Sequence, residues 1–115
     1  MVKARAGWEE YWYMDISNGD WKLFRERLPI WQERHMERLN LEYIRILNGP
    51  GNPSEKFWAL DKRIRQDKRH PGVCTELTKQ NMIPTIVRLL RDDVIVEADV
   101  SVFSDAIREA VAVFL

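Results

Sequence analysis

The sequence predicts an all-α protein, a compact bundle of five to six helices around one long central helix. Apolar side chains recur at helical spacing along most of the 115 residues, and glycine, proline and asparagine interrupt that pattern where helices should end. No segment alternates apolar and polar residues for long enough to form a strand. With 45% hydrophobic residues, a chain of this length can bury its own core, so we predict one domain, residues 1–115.

Three helices are predicted before the first strong break. One covers about residues 7–18, with several large apolar side chains on one face. Gly19 suits a helix end, and Asp20 suits the N-cap of a short helix that occupies the eight residues before Pro29. Because proline is well tolerated in a first turn, Pro29 is expected to open the long central helix, which runs to about Asn48.

The predicted central helix carries two apolar lines. The main line would face the core and consists of Trp31, His35, Met36, Leu39, Tyr43, Ile46 and Leu47. The second line is Ile30, Leu41 and Ile44, and Tyr13 and Met14 likewise lie off the main face of the first helix. Helices that are apolar on more than one face lie centrally or meet another chain. We therefore expect the side chains off the main faces to form the contact of a homodimer.

The next predicted helix has a strong start signal. Asn52, Pro53 and Glu55 occupy its N-cap, N1 and N3 positions, and the pattern extends to about Arg69. The stripe expected to face the core is Phe57, Leu60 and Ile64.

Shorter helices are predicted over residues 73–79 and 82–91, the latter closed by the two aspartates that follow it. Asp99 and Ser104 are candidate N-caps for one or two final helices. The apolar face of that last region is Phe103, Ile107, Val111 and Phe114.

The resemblance of this chain to other proteins depends on aromatic and cap positions, mostly in its first half. These are Trp8, Tyr11, Trp12, Gly19, Asp20, Trp21, Leu28, Pro29, Trp31, Gln32, Glu33, Met36, Tyr43, Phe57 and Trp58. In these positions the chain resembles a family of short uncharacterised bacterial all-helical proteins. The resemblance implies a shared fold and no catalytic motif. Some such proteins are labelled multidrug transporters, which the lack of any apolar segment of about 20 residues contradicts.

Residues that could carry catalysis are few and scattered. His35 and His70 have no metal-ligand spacing, and one cysteine allows no CxxC motif. We therefore predict no enzyme activity, no metal and no cofactor. His35 is expected to be a hydrogen-bonded core histidine and His70 a cation at a helix end. Cys74 is expected to be a small buried side chain, with a reactive thiol at a helix N-terminus as the alternative.

The location of the protein is predicted from what the sequence lacks. A single cysteine allows no internal disulfide and fits a reducing compartment. The two N-terminal cations are not followed by the apolar segment of a signal peptide. The prediction is a soluble, cytoplasmic protein without a membrane partner.

Charge is balanced over the chain, with 18 basic and 18 acidic residues, but unevenly distributed. Residues 56–91 carry 9 basic and 3 acidic side chains, a net charge of +6, whereas residues 92–115 carry 1 and 6, a net charge of −5. On the predicted helix after Asn52, one face carries Trp58, Lys62, Arg65 and Arg69.

That face has two interpretations. An exposed tryptophan among cations could bind an anionic partner such as nucleic acid. Alternatively, Asp99, Asp105 and Glu109 of the acidic C-terminal segment could neutralise it. Because the excess cations of one segment face the excess anions of the next, we expect at most weak, non-specific nucleic-acid binding.

Two functions from different classes follow. The leading one is a non-enzymatic protein–protein interaction module, from the missing catalytic constellation and the surplus apolar surface. The alternative is a DNA-binding regulator, because Glu76–Ile95 resembles the helix–turn–helix segment of winged-helix repressors. The segment departs from that pattern at Asp93, where a glycine is usual, at Pro84 inside the recognition helix, and in lacking a wing hairpin.

Overall fold

The structure is a computed structural model that describes residues 14–115. All regular structure in that range is helical, which confirms the all-α prediction. The described helices are α1 (Asn18–Asn48), α2 (Pro53–Asp67), α3 (Met82–Arg91), α4 (Glu97–Val100) and α5 (Asp105–Ala112). Of the helix predicted over residues 7–18, residues 14–17 are not helical and the first seven residues lie outside the described residues.

The long helix α1 begins earlier than predicted, at a cap built from Ser17 and Asp20. The Asp20 N–H donates to Ser17 Oγ (3.1 Å), and the Ser17 hydroxyl donates to the Asp20 carboxylate (3.0 Å). Ser17 is therefore the N-cap and Asp20 the third helical residue, a capping arrangement in which both side chains bond locally. The predicted stop at Gly19 is wrong, because Gly19 continues the helix instead of adopting a left-handed conformation.

Pro29 lies inside α1 and does not open a new helix, which corrects the predicted boundary. A proline at this position removes the N–H that would bond the carbonyl of Arg25. Both residues are exposed, so water can bond the freed carbonyl, and one helix of 31 residues replaces the two predicted.

The chain divides into two compact units, each with its own contacts. Unit 1 combines the described residues up to Leu28 with Glu76–Leu115, and unit 2 is Pro29–Thr75. The first part of α1 belongs to unit 1 and the rest to unit 2. That residues 1–115 form one domain stays a prediction.

The core of unit 1 is built from short amphipathic helices. Helix α3 has the predicted bounds and contacts α5. Asp93, with a φ of 58°, ends the chain's helical path after α3, as predicted for the two aspartates. The fully buried large side chains of this core are Phe24, Leu28, Met82, Ile83, Ile86, Val87, Leu89, Val94, Ile95 and Ile107.

The carboxylate of Asp20 ties the start of α1 to the start of α5. Asp20 is 5% exposed and accepts hydrogen bonds from the Ser104 N–H (2.9 Å) and hydroxyl (2.6 Å). Ser104 in turn caps α5, as predicted. Burial alone would raise the pKa of Asp20, but the hydrogen bonds from Ser104 and Ser17 outweigh it and lower that pKa.

Two predictions at the other helix ends of unit 1 are wrong. Asp99 is not an N-cap but lies inside α4, where its carboxylate accepts the Val96 N–H (2.9 Å). Residues 73–79 form turns and irregular backbone in place of the predicted helix. β-Branched Val73, Thr75 and Thr78 have low helix propensity, and Thr78 bonds the Asn81 N–H instead.

Unit 2 pairs the second part of α1 with α2. The predicted start of α2 is confirmed, since the Asn52 side chain accepts the Glu55 N–H (2.9 Å). Leu39 is buried on α1, whereas no residue of α2 is fully buried. The predicted core stripe of α2 is therefore partly wrong: Phe57 is 62% exposed, and the stripe's other two residues are half-buried.

The Asp20 carboxylate should dominate the stability of unit 1. Asp20→Ala leaves the Ser104 donors without their acceptor, and we expect it to lower the free energy of unfolding by about 2–4 kcal/mol. Asp20→Asn, which keeps one acceptor, should cost less. Asp15→Ala, at an exposed position, should change stability by no more than about 0.5 kcal/mol. Urea unfolding followed by circular dichroism measures all three, and equal effects of Asp20→Ala and Asp15→Ala would contradict the assignment.

Leu39 and Leu41 provide a matched pair on α1, since Leu39 is 7% exposed and Leu41 57%. Leu39→Ala should cost about 2–5 kcal/mol because it removes buried methyl groups and leaves a cavity. Leu41→Ala should change stability by about 0.5 kcal/mol or less at low protein concentration. Thermal unfolding of both variants tests this, and a larger loss for Leu41→Ala would show that α1 packs through its other face.

Candidate functional site

The second apolar line of α1 lies on the surface of unit 2. Ile30, Leu41 and Ile44 are 56%, 57% and 51% exposed. Successive helical residues are about 100° apart, which places the three side chains within a narrow stripe along α1. Of the other two predicted contact residues, Met14 is half-buried and Tyr13 lies outside the described residues.

Charged side chains of opposite sign border this stripe. The same helical geometry places Arg34, Arg38 and Arg45 on one side of it and Glu33 on the other, whereas Glu37 falls inside the stripe, between Ile30 and Leu41. All five charged side chains are exposed. A shallow groove beside Ile30 is lined by both glutamates and by Arg34. The stripe therefore has one basic and one acidic border.

The basic face predicted on α2 is present as a surface of unit 2. Trp58 is 64% exposed, and Lys62 and Arg65 are exposed within about 40° of it around the helix axis. Arg69 is also exposed but lies in the turn after α2. The three cations, with Gln66, line a shallow groove. Phe57 packs edge-to-face on Trp58 with ring centroids 5.0 Å apart, so two aromatic rings are exposed near the start of the helix.

The ion pairs around the α2 face and among the C-terminal acids are described within each unit, and neutralisation of the α2 face by those acids stays a prediction. Arg65 pairs with Asp61 of its own helix (2.9 Å), while Asp105 pairs with Arg108. Within the described residues of unit 2, no carboxylate lies within ion-pairing distance of Lys62 or Arg69.

A polar network joins α1 and α2, and the sequence does not predict it. The Tyr43 hydroxyl donates to Asp67 (2.5 Å), and Arg63 pairs both with Asp67 (3.0 Å) and with Glu42. Burial and the Asp67 carboxylate raise the pKa of Tyr43 to about 12. Tyr43 is half-buried on the predicted core line, but nothing in the sequence indicates a partner 24 residues away.

The two histidines meet, although they are 35 residues apart in the chain. Their ring centroids are 5.9 Å apart, and His70 Nδ1 accepts the Gly72 N–H (2.9 Å). That His70 acts as a cation at a helix end stays a prediction. His35 is half-buried, and burial together with the Arg38 and His70 charges lowers its pKa. Gly72 is needed beside the pair, because a Cβ there would lie 2.7 Å from His35 Cδ2.

The remaining candidates for a chemical role in the described part of the chain are Cys74 and possible metal ligands. Cys74 is exposed and lies outside any helix, so the prediction of a buried side chain near a helix start is wrong. No group of three or more histidine, cysteine, aspartate or glutamate side chains within residues 14–115 could hold a metal ion.

The helix–turn–helix resemblance of Glu76–Ile95 does not correspond to a pair of helices. Helix α3 is the one helix in this segment, and residues 76–81 before it are irregular. Six of the ten α3 residues are buried, Met82, Ile83, Thr85, Ile86, Val87 and Leu89. A recognition helix must expose its side chains to the bases, so the two-helix arrangement is wrong.

Comparison with known proteins found neither a matching family model nor a matching solved structure. Within the described residues, no helix combines the length and the apolar character needed to cross a membrane. The resemblance to short bacterial all-helical proteins stays a prediction.

The Tyr43–Asp67 hydrogen bond should make the stability of the fold depend on pH in the alkaline range. A tyrosine whose folded-state pKa lies near 12, above its ordinary value of 10, stabilises the fold fully below pH 10 and loses that contribution as pH rises from 10 to 12. The stability difference between wild type and Tyr43→Phe should therefore shrink over this interval. Urea unfolding from pH 9 to 11.5 checks it; a constant difference would mean that Tyr43 is not held protonated by Asp67.

Proposed function

We propose that this chain is a non-enzymatic protein–protein interaction module of the cytoplasm, and that its partner is a second copy of itself. The observation that carries the proposal is the exposed stripe of Ile30, Leu41 and Ile44 on α1. An apolar stripe bordered by charges is typical of a contact surface.

The borders of the stripe favour one arrangement of the two copies. If the two-fold axis runs parallel to α1, the arginine border of one copy meets the glutamate border of the other. If the axis is perpendicular to α1, arginines meet arginines and glutamates meet glutamates. The borders therefore favour a parallel pairing of the two α1 helices, and Glu37 inside the stripe, which then lies near its own copy, lowers the affinity of that pairing.

The expected affinity is modest. Each of the three side chains has about half its surface exposed, so covering it contributes on the order of 1 kcal/mol. Six such side chains give roughly 6 kcal/mol in a symmetric dimer, which corresponds to a Kd between about 1 μM and 1 mM. The cost of association weakens this further, and the charged borders offset part of that cost.

The first test is concentration-dependent assembly. Sedimentation velocity of the wild type from low to high micromolar concentration should show a monomer–dimer equilibrium. Leu41→Glu places a charge in the stripe and should abolish the dimer. Leu47→Glu is the matched control, because Leu47 is 46% exposed on α1 but lies about 90° from the stripe. A monomer at every concentration, or an equal effect of both variants, would overturn the proposal.

A second test reports the direction of pairing. In a Cys74→Ser background, Ile30→Cys and Leu41→Cys should each form an interchain disulfide, because a parallel pair places every residue near its own copy. An antiparallel pair allows self-crosslinking only near its midpoint, so at most one of the two variants would then crosslink. Charge reversal gives an independent check: Glu33→Arg, on the acidic border, should weaken the dimer, and adding Arg34→Glu, on the basic border, should restore it.

A further inference from the structure

We propose that the surface formed by Trp58, Lys62 and Arg65 of α2, together with Arg69 just beyond the end of that helix, binds single-stranded nucleic acid. This inference concerns a different surface from the homodimer stripe and does not depend on self-association. It starts from the combination of exposed aromatic rings and exposed cations on one face of α2 and in the turn that follows it.

The cations of this face are available to an anion. Residues 56–70 carry 6 basic and 2 acidic side chains, a net charge of +4. Asp67 is engaged by Tyr43 and Arg63 within unit 2, and Asp61 is paired with Arg65 in an exposed contact that a phosphate can replace.

The groove formed by Lys62, Arg65, Gln66 and Arg69 suits the phosphates of a strand. Gln66 adds an amide donor between the cations, and arginine can bond a phosphate through two N–H groups at once. The line from Trp58 to Arg65 is about 10 Å long, at 1.5 Å per helical residue, and Arg69 extends the surface beyond the helix end, so together they match the reach of a few nucleotides.

The aromatic pair distinguishes a nucleic acid from other polyanions. Trp58 and Phe57 are 64% and 62% exposed and pack on each other edge-to-face, which holds two rings at the surface one turn before Lys62. Unpaired bases stack on such rings, whereas duplex bases are stacked on each other and offer only their edges. Rings followed by cations along one helix thus fit a single strand, with base and phosphate contacts in succession.

The test is fluorescence anisotropy of a labelled oligothymidylate of about 12 nucleotides, in a Leu41→Glu background that keeps the protein monomeric. Binding should be micromolar at low salt and should weaken with salt at a logarithmic slope of about −2, because three cations each neutralise one phosphate. Lys62→Gln should weaken binding several-fold and reduce the slope by about 0.7. Lys56→Gln is the matched control: it removes one charge from the same helix about 160° away from Trp58.

A second arm separates base stacking from charge. Trp58→Ala should weaken oligothymidylate binding by about tenfold, yet leave the binding of inorganic polyphosphate unchanged. Equal effects of Lys62→Gln and Lys56→Gln would overturn the proposal. So would a Trp58→Ala variant that binds oligothymidylate as well as the wild type. Binding to phosphatidylserine vesicles without binding to oligothymidylate would assign the face to a lipid surface and also reject the proposal.

Discussion

The buried carboxylate of Asp20 is the constraint on which the architecture of unit 1 depends. A charged group that is 5% exposed must be hydrogen-bonded to be tolerated, and its acceptors are used by Ser17 at the start of α1 and by Ser104 at the start of α5. One side chain therefore bonds the N-cap residues of two helices, although Asp20 and Ser104 lie 84 residues apart in the chain. Helix α5 begins at the N-cap that Ser104 forms, and α5 contacts α3.

In unit 2, polar contacts rather than a buried core hold the two helices together. Helix α2 has no fully buried residue, so apolar burial alone cannot fix it against α1. The hydrogen bond from Tyr43 to Asp67 and the pairing of Arg63 with Asp67 and Glu42 join the two helices by polar contacts. Because these groups are only partly buried, their net contribution is smaller than that of a core of equal size. A unit held in this way leaves large apolar side chains at its surface.

The surface of unit 2 offers two different kinds of contact. On α1, aliphatic side chains lie between a basic and an acidic border, which suits a copy of the same surface in parallel orientation. On α2, aromatic rings and cations of one sign follow each other along the helix, which suits an anionic strand. The two proposals rest on separate residues, so either can fail without the other.

The sequence by itself determined the helical class, the cap of α2 at Asn52, the bounds of α3 and the exposed lines of α1 and α2, because these follow from periodicity and local capping chemistry. It placed the start of α1 too late, because the capping pair of Ser17 and Asp20 starts the helix before Gly19. It also made Pro29 the start of a new helix, whereas proline is tolerated inside α1 because water can bond the carbonyl that it leaves without a partner. Only the tertiary structure decided that Asp20 meets Ser104, that Tyr43 meets Asp67 and that the two histidines touch. Such contacts join residues far apart in the chain, and no local pattern encodes which helix faces pack together.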